Sequence, residues 1–174
     1  PCPSWLFTSN LKSKEIEYIY NNENINLDNE YEYMGFILCG WNMPLNNWNL
    51  IKRESHEFIE FEKTIEYILK TYPKIKIVMI SHNNAFIKEP FELKKGRDYE
   101  LLFQLYNILK NKKIIDMNRI IILKEIYGAH ETKGILSKLD YLISGRLHGS
   151  IGALTSYVPT IMIKYDNGPP CHKL

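Results

Sequence analysis

The sequence predicts an α/β fold, in which helices cover both faces of a parallel β-sheet. Two observations support it: short, continuously apolar segments recur along the chain, and segments of helical character separate them. Strands that are buried on both faces read as uninterrupted apolar runs rather than as an alternating pattern. When such strands alternate with helices, the sheet is parallel and its crossover connections are right-handed.

Five segments have the length and apolar content of buried strands. The first, YMGFILC, is ended by Gly40, and the last, TIMI, follows Pro159. Short apolar runs that are bounded by turn residues are typical of strands in the core of a sheet. We predict strands over residues 33–39, 76–80, 120–123, 141–144 and 160–163.

The clearest helical segment covers residues 55–71, because its large apolar side chains fall on one face at helical spacing. Glu57 near its start and Lys70 near its end suit the helix dipole. A further helix begins at Asp98, which is a suitable N-cap residue. The predicted helices cover residues 12–20, 55–71, 98–109 and 132–139, and another begins at residue 150.

The chain of 174 residues is long enough for one domain with a sizeable core. The polar, Asn-rich residues 21–30 read as a loop, so we predict an α/β domain over residues 31–174, preceded by a joining segment with a short helix over residues 1–30. The sequence has no signal-peptide pattern and begins at Pro1, and we interpret it as part of a longer protein.

Charge and cysteine content exclude several classes of function. The net charge of +2 is too small to predict binding to nucleic acid or to an anionic membrane. The three cysteines, Cys2, Cys39 and Cys171, form no CxxC pair, which disfavours a disulfide framework or a zinc site and favours a reducing cytoplasm. No apolar run approaches the length of a transmembrane helix.

Ligands of parallel sheets bind beyond the carboxyl ends of the strands, which directs attention to five loops, at residues 40–42, 81–84, 127–131, 145–149 and 164–173. Among them, the segment SGRLHG at residues 144–149 has the residues of a catalytic cluster. Its glycines allow a sharp turn, and the helix that follows offers N–H groups to an anion. Arg146 adds a fork of donors that suits a carboxylate or phosphate, and His148 adds a group that exchanges protons near neutral pH. The same residues also fit a structural role, in which Arg146 pairs with a buried acid and His148 caps a carbonyl.

The stretch LDYLISGRLHGSIGALTSYVPTIMI resembles the signature region of the polysaccharide pyruvyl transferase family. The shared pieces are an acidic residue (Asp140), a short strand, the run RLHG, and the turn Val158-Pro159 into another strand. Three shorter matches are looser: Cys2-Pro3, Ser81-His82, where the family has Pro before the His, and Gly96-Arg97-Asp98. The tail from Tyr165 to Leu174, which contains His172 and Lys173, also resembles the family.

The resemblance implies a glycosyltransferase B-like fold with two Rossmann-like lobes, of which this chain would be the C-terminal one. It implies transfer of the enolpyruvyl unit of phosphoenolpyruvate to a glycan or lipid-linked sugar, which forms a pyruvate ketal. Arg146 would bind the donor's carboxylate or phosphate, and His148 would protonate its methylene carbon. The further substrate-binding residues would be Leu147, Gly149, His82, His172 and Lys173.

By the same resemblance the reaction needs no metal and no organic cofactor, and we expect a cytoplasmic enzyme, peripheral at the inner face of the membrane. Its other lobe would lie outside this chain, so we expect the chain alone to be inactive. A second arginine for the donor would be Arg53, Arg97 or a residue of that other lobe. We interpret Asp140 as structural, and His56 and His130 as surface residues without a partner.

Two other functions fit the same pattern. The chain could belong to a nucleotide-sugar glycosyltransferase or epimerase, since these enzymes also place an anion at a helix N-terminus. Alternatively, it could be an anion-binding lobe without catalysis, because fold does not determine function. Binding of phosphoenolpyruvate would indicate the pyruvyl transferase, whereas binding of a nucleotide sugar would indicate the glycosyltransferase or epimerase.

Overall fold

A five-stranded parallel sheet forms the centre of the fold. A computed structural model describes residues 3–27, 30–39, 55–86, 92–112 and 116–163 of the chain. Within these residues, the sheet is formed by β1 (Glu32–Ile37), β2 (Ile75–Met79), β5 (Ile120–Ile122), β6 (Tyr141–Ser144) and β7 (Thr160–Met162). Their order is β5-β2-β1-β6-β7, and every neighbouring pair is parallel. This is the strand order of the Rossmann fold.

Helices lie on both faces of the sheet. They are α1 (Ser13–Asn22), α2 (Ile59–Thr71), α3 (Arg97–Lys110), α4 (Ala129–Leu136) and α5 (Leu147–Leu154). Buried side chains of α2 and α3 share one apolar cluster with the sheet, and those of α1, α4 and α5 share a second cluster. Two clusters on opposite faces account for the uninterrupted apolar strands, because both faces of each strand are buried.

Strand β1 shows how the sheet divides the two clusters. Phe36 lies in the cluster of α2 and α3, whereas Tyr33 and Ile37 lie in the cluster of α1, α4 and α5. Side chains on a strand alternate between faces, so this division follows directly from the strand period. Gly35 faces the second cluster, where a Cβ atom would lie 2.5 Å from Leu139 Cδ1. Glycine therefore leaves room for that leucine to pack on the sheet.

The fold class predicted from the sequence is confirmed, and each predicted strand lies within two residues of the observed one. The starts of two helices were predicted wrongly. Helix α4 begins at Ala129 instead of residue 132, and α5 begins at Leu147 instead of residue 150, since Gly128 and Arg146 occupy the N-cap positions. The segment 55–71 opens with a 3-10 turn, Ser55–Phe58, before α2 starts.

Two features around α3 also differ from the prediction. An antiparallel hairpin of β3 (Asn84–Phe86) and β4 (Leu93–Lys95) precedes the helix, and strands of this length give no periodic signal. The N-cap of α3 is Gly96, and Asp98 lies inside the first turn. A Cβ atom on Gly96 would lie 1.7 Å from the Asn83 carbonyl oxygen, so this close approach requires glycine.

Helix α1, which we assigned to a joining segment, packs in the same core as α4 and α5. Ile16 and Tyr20 are buried, and the Tyr20 hydroxyl donates to the Ile135 carbonyl at 2.8 Å. At the end of α1, the Glu23 carboxylate accepts hydrogen bonds from the backbone N–H groups of Lys124 and Glu125 and from the Tyr127 hydroxyl. Glu23 thereby fixes the loop that follows β5.

Arg119 joins the end of α2 to the start of β5. Its Nη1 lies 3.0 to 3.2 Å from the carbonyl oxygens of Tyr72, Pro73 and Ile75, and Nη2 donates to that of Leu69. The last carbonyl groups of a helix have no partner within the helix, and a cation there also interacts favourably with the helix dipole. Arg119 therefore supplies the C-terminal cap of α2 from a distant part of the chain.

Arg119→Met is expected to lower the free energy of unfolding by about 2–4 kcal/mol, because several partly buried carbonyl groups lose a charged donor. Urea unfolding at neutral pH measures the change. Lys70→Met is the matched control, since Lys70 is exposed in the last turn of the same helix and forms a surface ion pair with Glu66. Its cost should stay below about 0.5 kcal/mol. Equal costs for the two variants would contradict the capping role of Arg119.

Candidate functional site

A cleft of about 1070 Å³ opens at the carboxyl ends of the strands. After β1 the chain crosses to β2 and then β5 on one side, whereas β6 and β7 lie on the other side of β1. The order therefore reverses between β1 and β6, and such switch points are where parallel sheets bind ligands. Cys39, which follows β1, and Arg146, which follows β6, both line the cleft.

The backbone at the start of α5 is held by two buried serines. Arg146 N donates to Ser144 Oγ, and both Ser144 Oγ and Ser150 Oγ donate to the Arg146 carbonyl oxygen, at 3.0 to 3.1 Å. Neither serine is exposed to solvent. The extended backbone of Arg146 at the N-cap turns the chain from strand to helix. This places Leu147 and His148 in the first turn of α5, at the positive end of the helix dipole.

The Arg146 side chain forms a bidentate ion pair with Asp98. Nε lies 2.9 Å from Asp98 Oδ2, and Nη2 lies 2.6 Å from Oδ1. Asp98 is completely buried, whereas the Arg146 side chain is 28% exposed and lines the cleft. The structural role considered from the sequence is therefore correct for Arg146, and Asp98 is its counter-ion instead of a helix cap. A bidentate pair uses two of the five N–H hydrogens of a guanidinium.

His82 lies between the ends of the strands and helix α5. A Cβ atom on Gly149 would come within 3.2 Å of His82 Cδ2, so glycine at this position lets the imidazole approach the helix. Burial, together with the charges of Arg146 and His148, lowers the pKa of His82 to about 4. Neutral imidazole is thus the form of His82 at neutral pH, and the electrostatic potential at its ring is positive.

The structure brings together the predicted residues that lie in the described part of the chain. His82, Arg146, Leu147 and His148 line one cleft, and Gly149 packs behind His82. Their roles in binding and catalysis stay predictions. His172, Lys173 and Arg53 lie outside the described residues, as does the Arg97 side chain.

Two residues outside the cleft support neighbouring structure. Asp140 Oδ2 accepts a hydrogen bond from Tyr33 N at 2.7 Å, which ties the start of β6 to β1. The interpretation of His130 as a residue without a partner was wrong. Its Nδ1 accepts from Asn10 N, its carbonyl accepts from Ser9 Oγ, and its ring lies 4.8 Å from that of Phe7. His130 therefore fastens the N-terminal segment to α4.

The opposite wall of the cleft is formed by the N-terminal segment, through Pro3, Ser4 and Phe7, and by the start of α4 and the loop before it. The loop at residues 127–131 is one of the strand-end loops identified from the sequence, whereas the N-terminal residues were missed. Lys133 of α4 lies at the base of this wall, where Nζ donates to the Gly152 carbonyl at 2.7 Å and to Thr155 Oγ1. Burial lowers the pKa of Lys133. No local pattern marks the N-terminal residues, because they follow no strand and are far from the other lining segments in the chain.

The described residues contain no group of three or more His, Cys, Asp or Glu side chains that could hold a metal ion. Among the same residues, none of the helices has the length and apolar character needed to cross a lipid bilayer.

Asp98→Asn and Arg146→Met are each expected to lower the free energy of unfolding by about 3–5 kcal/mol, because each leaves the other member of a buried pair uncompensated. The double variant should lose less stability than the two single variants together, which gives a coupling free energy of about 2 kcal/mol or more. Urea unfolding of the wild type, the two single variants and the double variant completes this double-mutant cycle.

The exposed pair of Lys63 and Glu60, 2.8 Å apart on α2, is the matched control for this cycle. Its coupling should stay below about 0.5 kcal/mol. Purely additive losses at Asp98 and Arg146 would mean that the pair is not a coupled unit.

His82 is expected to make stability fall at acid pH. Because its pKa of about 4 in the folded state lies below the ordinary histidine value, the unfolded chain takes up the proton first as the pH decreases. Stability should therefore be lost between about pH 6.5 and pH 4, by up to about 3 kcal/mol from this group. Urea unfolding at about pH 7 and about pH 4.5 should show a smaller pH dependence in His82→Gln than in the wild type.

His56→Gln serves as the control for this experiment, since His56 is exposed and should leave the pH dependence unchanged. An NMR titration in which His82 takes up its proton above about pH 6 would contradict the expected shift.

The profile of the family described as "Polysaccharide pyruvyl transferase" matches residues 1–167. No curated protein matches the chain. One similar solved structure is the UDP-GlcNAc 2-epimerase from Methanocaldococcus jannaschii, with 17% identity and a TM-score of 0.49 over 91% of this chain and 36% of that protein. Another is the C-terminal domain of a group 1 glycosyl transferase (LpcC) from Francisella tularensis, with 16% identity and a TM-score of 0.47 over 93% of this chain and 70% of that one. The profile covers nearly the whole chain, and the chain belongs to the polysaccharide pyruvyl transferase family.

Proposed function

We propose that this chain binds phosphoenolpyruvate and takes part in transferring its pyruvyl group to two hydroxyl groups of a sugar, which forms a pyruvate ketal. The observation that carries the proposal is the arrangement of Arg146, His148 and the N-terminus of α5 at one end of the cleft. A fork of donors, a proton-exchanging group and a helix dipole there suit a small donor that carries both a carboxylate and a phosphate.

The electrostatics of this end of the cleft favour an anion. Asp98 balances the charge of Arg146, but it also fixes the direction of the guanidinium in the wall of the cleft. The dipole of α5 adds positive potential near the same point, and the imidazole of His148 adds a hydrogen-bonding group. Burial is the main cause of the lowered pKa of His82, and the neighbouring Arg146 acts in the same direction. His82 itself would contribute as a neutral hydrogen-bonding group.

His148 is the proposed general acid. It lies in the first turn of α5, is exposed, and lines the cleft. Protonation of the donor's methylene carbon by His148 would give a methyl group and leave positive charge at the adjacent carbon. One sugar hydroxyl then adds to that carbon and returns a proton to the imidazole. The bond to the phosphate oxygen then breaks, the second hydroxyl bonds to the same carbon in its place, and inorganic phosphate leaves with the proton of that hydroxyl, which completes the ketal.

The proposal also covers cofactors, the acceptor, further contacts with the donor, the cellular location and a second lobe. No metal or organic cofactor takes part in the proposed steps, and the acceptor is a glycan or a lipid-linked sugar. His172 and Lys173 remain candidates for a further contact with the donor anion. We place the protein in the cytoplasm, because three cysteines without a pairing pattern suit a reducing compartment. A second lobe, in the same protein, would complete the cleft.

Phosphoenolpyruvate is expected to bind to this chain, and His148→Gln to weaken the binding about tenfold or more, because a charge-assisted hydrogen bond is worth about 1.5–3 kcal/mol. Isothermal titration calorimetry measures the affinity, with a nucleotide sugar titrated in parallel. His130→Gln is the matched control, since His130 lies on α4 and contacts the N-terminal segment. It should leave the affinity for phosphoenolpyruvate unchanged.

Turnover with a sugar acceptor in the complete protein should be lost in His148→Gln and retained in His56→Gln, because His56 is exposed in the 3-10 turn before α2 and lies outside the cleft lining. Binding of the nucleotide sugar without binding of phosphoenolpyruvate would instead assign the cleft to a glycosyltransferase or epimerase.

A further inference from the structure

The cleft is longer than the proposed donor. It extends along the edge of the sheet from the loop after β6, which holds Arg146, to the loop after β5, which holds Tyr127. Strands β2 and β1 lie between these two, so the loops are three strand spacings apart, or about 14 Å. A three-carbon phosphate ester bound at Arg146 fills only part of that length, and the volume of about 1070 Å³ accommodates a second, larger molecule.

The two ends of the cleft differ in charge. Arg146 and His148 lie at the end formed by the loop after β6, and His82 packs against α5 there. The loop after β5 and the start of α4 form the other end with the aromatic and small neutral residues Tyr127, Gly128, Ala129 and Thr132, and Phe7 lies beside them through its ring contact with His130. Lys133 is the cation closest to it in the sequence, but its side chain is nearly buried, and its ammonium group is directed to the Gly152 carbonyl and Thr155 of α5. This end therefore suits a neutral molecule with apolar faces and hydroxyl groups.

The neutral end is held in a fixed shape. The Tyr127 hydroxyl donates to the Glu23 carboxylate at 2.7 Å, and its carbonyl accepts from Asn84 Nδ2 at 2.7 Å. Phe7 is held because its ring packs on that of His130, and because Ser9 and Asn10, which follow it, both form hydrogen bonds with His130. An aromatic wall that is fixed before the ligand arrives loses little conformational entropy on binding. Such preorganisation is a property of binding sites.

We propose that the neutral end of the cleft, formed by Phe7, Tyr127 and the start of α4, is the subsite for a sugar ring of the acceptor. This inference rests on the proposed function, which requires a sugar next to the donor because both hydroxyl groups must reach one carbon atom of it. The apolar face of the ring packs on the aromatic side chains, and its hydroxyl groups face neutral polar groups such as Thr132. The N-terminal segment, residues 3–10, is then part of the acceptor site.

The test titrates the isotope-labelled chain with a panel of methyl hexosides, with and without phosphoenolpyruvate, and follows the resonances by NMR. At least one hexoside should shift the signals of Phe7 and Tyr127 at millimolar concentration. Phe7→Ala should weaken its binding about three- to tenfold, the value of one aromatic contact. The affinity for phosphoenolpyruvate should change by less than about twofold.

Phe103→Ala is the matched control, because Phe103 is exposed to a similar degree, 42% against 36%, and stacks on Tyr99 of α3 instead of lining the cleft. It should change neither affinity. The wild-type titration does not depend on how well Phe7→Ala folds, so it tests the subsite by itself.

Two results would overturn the subsite while leaving the proposed function in place. Either no hexoside shifts Phe7 and Tyr127 although phosphoenolpyruvate binds, or Phe7→Ala weakens both ligands alike. By contrast, hexoside shifts at Phe7 and Tyr127 in a chain that does not bind phosphoenolpyruvate would support the sugar subsite and refute the donor.

Discussion

The ion pair between Asp98 and Arg146 is the interaction on which the candidate site depends. Asp98 belongs to α3, which covers one face of the sheet, and Arg146 precedes α5, which covers the other. The pair therefore passes over the carboxyl edge of the sheet and joins the two layers where the cleft opens. A buried carboxylate is costly unless it is paired and hydrogen-bonded, so the arginine is kept in one position whether or not a ligand is present.

Structural and functional roles of Arg146 are compatible for this reason. The sequence offered a choice between an arginine that holds the core together and one that binds a ligand, whereas the geometry shows the first role and is compatible with the second. Its inner edge is bound to Asp98, and more than a quarter of the side chain remains exposed in the cleft. A guanidinium that is already oriented loses less entropy when it binds an anion than one that moves freely.

The fold could be predicted from the sequence because each strand is apolar over its whole length and each predicted helix has an apolar face. The loop that carries Arg146 and His148 could be found because glycines and a short apolar strand flank it in sequence. The partner of Arg146 could not be found, since Asp98 lies 48 residues away and also suits a helix N-cap. The loop at residues 127–131 could be found because it follows a strand, whereas Phe7 was missed because only its long-range contact with His130 brings it to the cleft.

The charge of the site follows from these long-range contacts. Asp98 neutralises Arg146, so the pair by itself attracts an anion weakly and contributes mainly direction. In the proposed site the attraction would come mainly from the N-terminus of α5, whose first turn is positioned by the two buried serines that hold the Arg146 carbonyl. His82 packs on Gly149 and stays neutral, chiefly because it is largely buried and also because of the charge of Arg146. An oriented guanidinium and a helix N-terminus are groups whose positions are set by the fold, so an anion that binds there, as we propose for the donor, would pay little to order them.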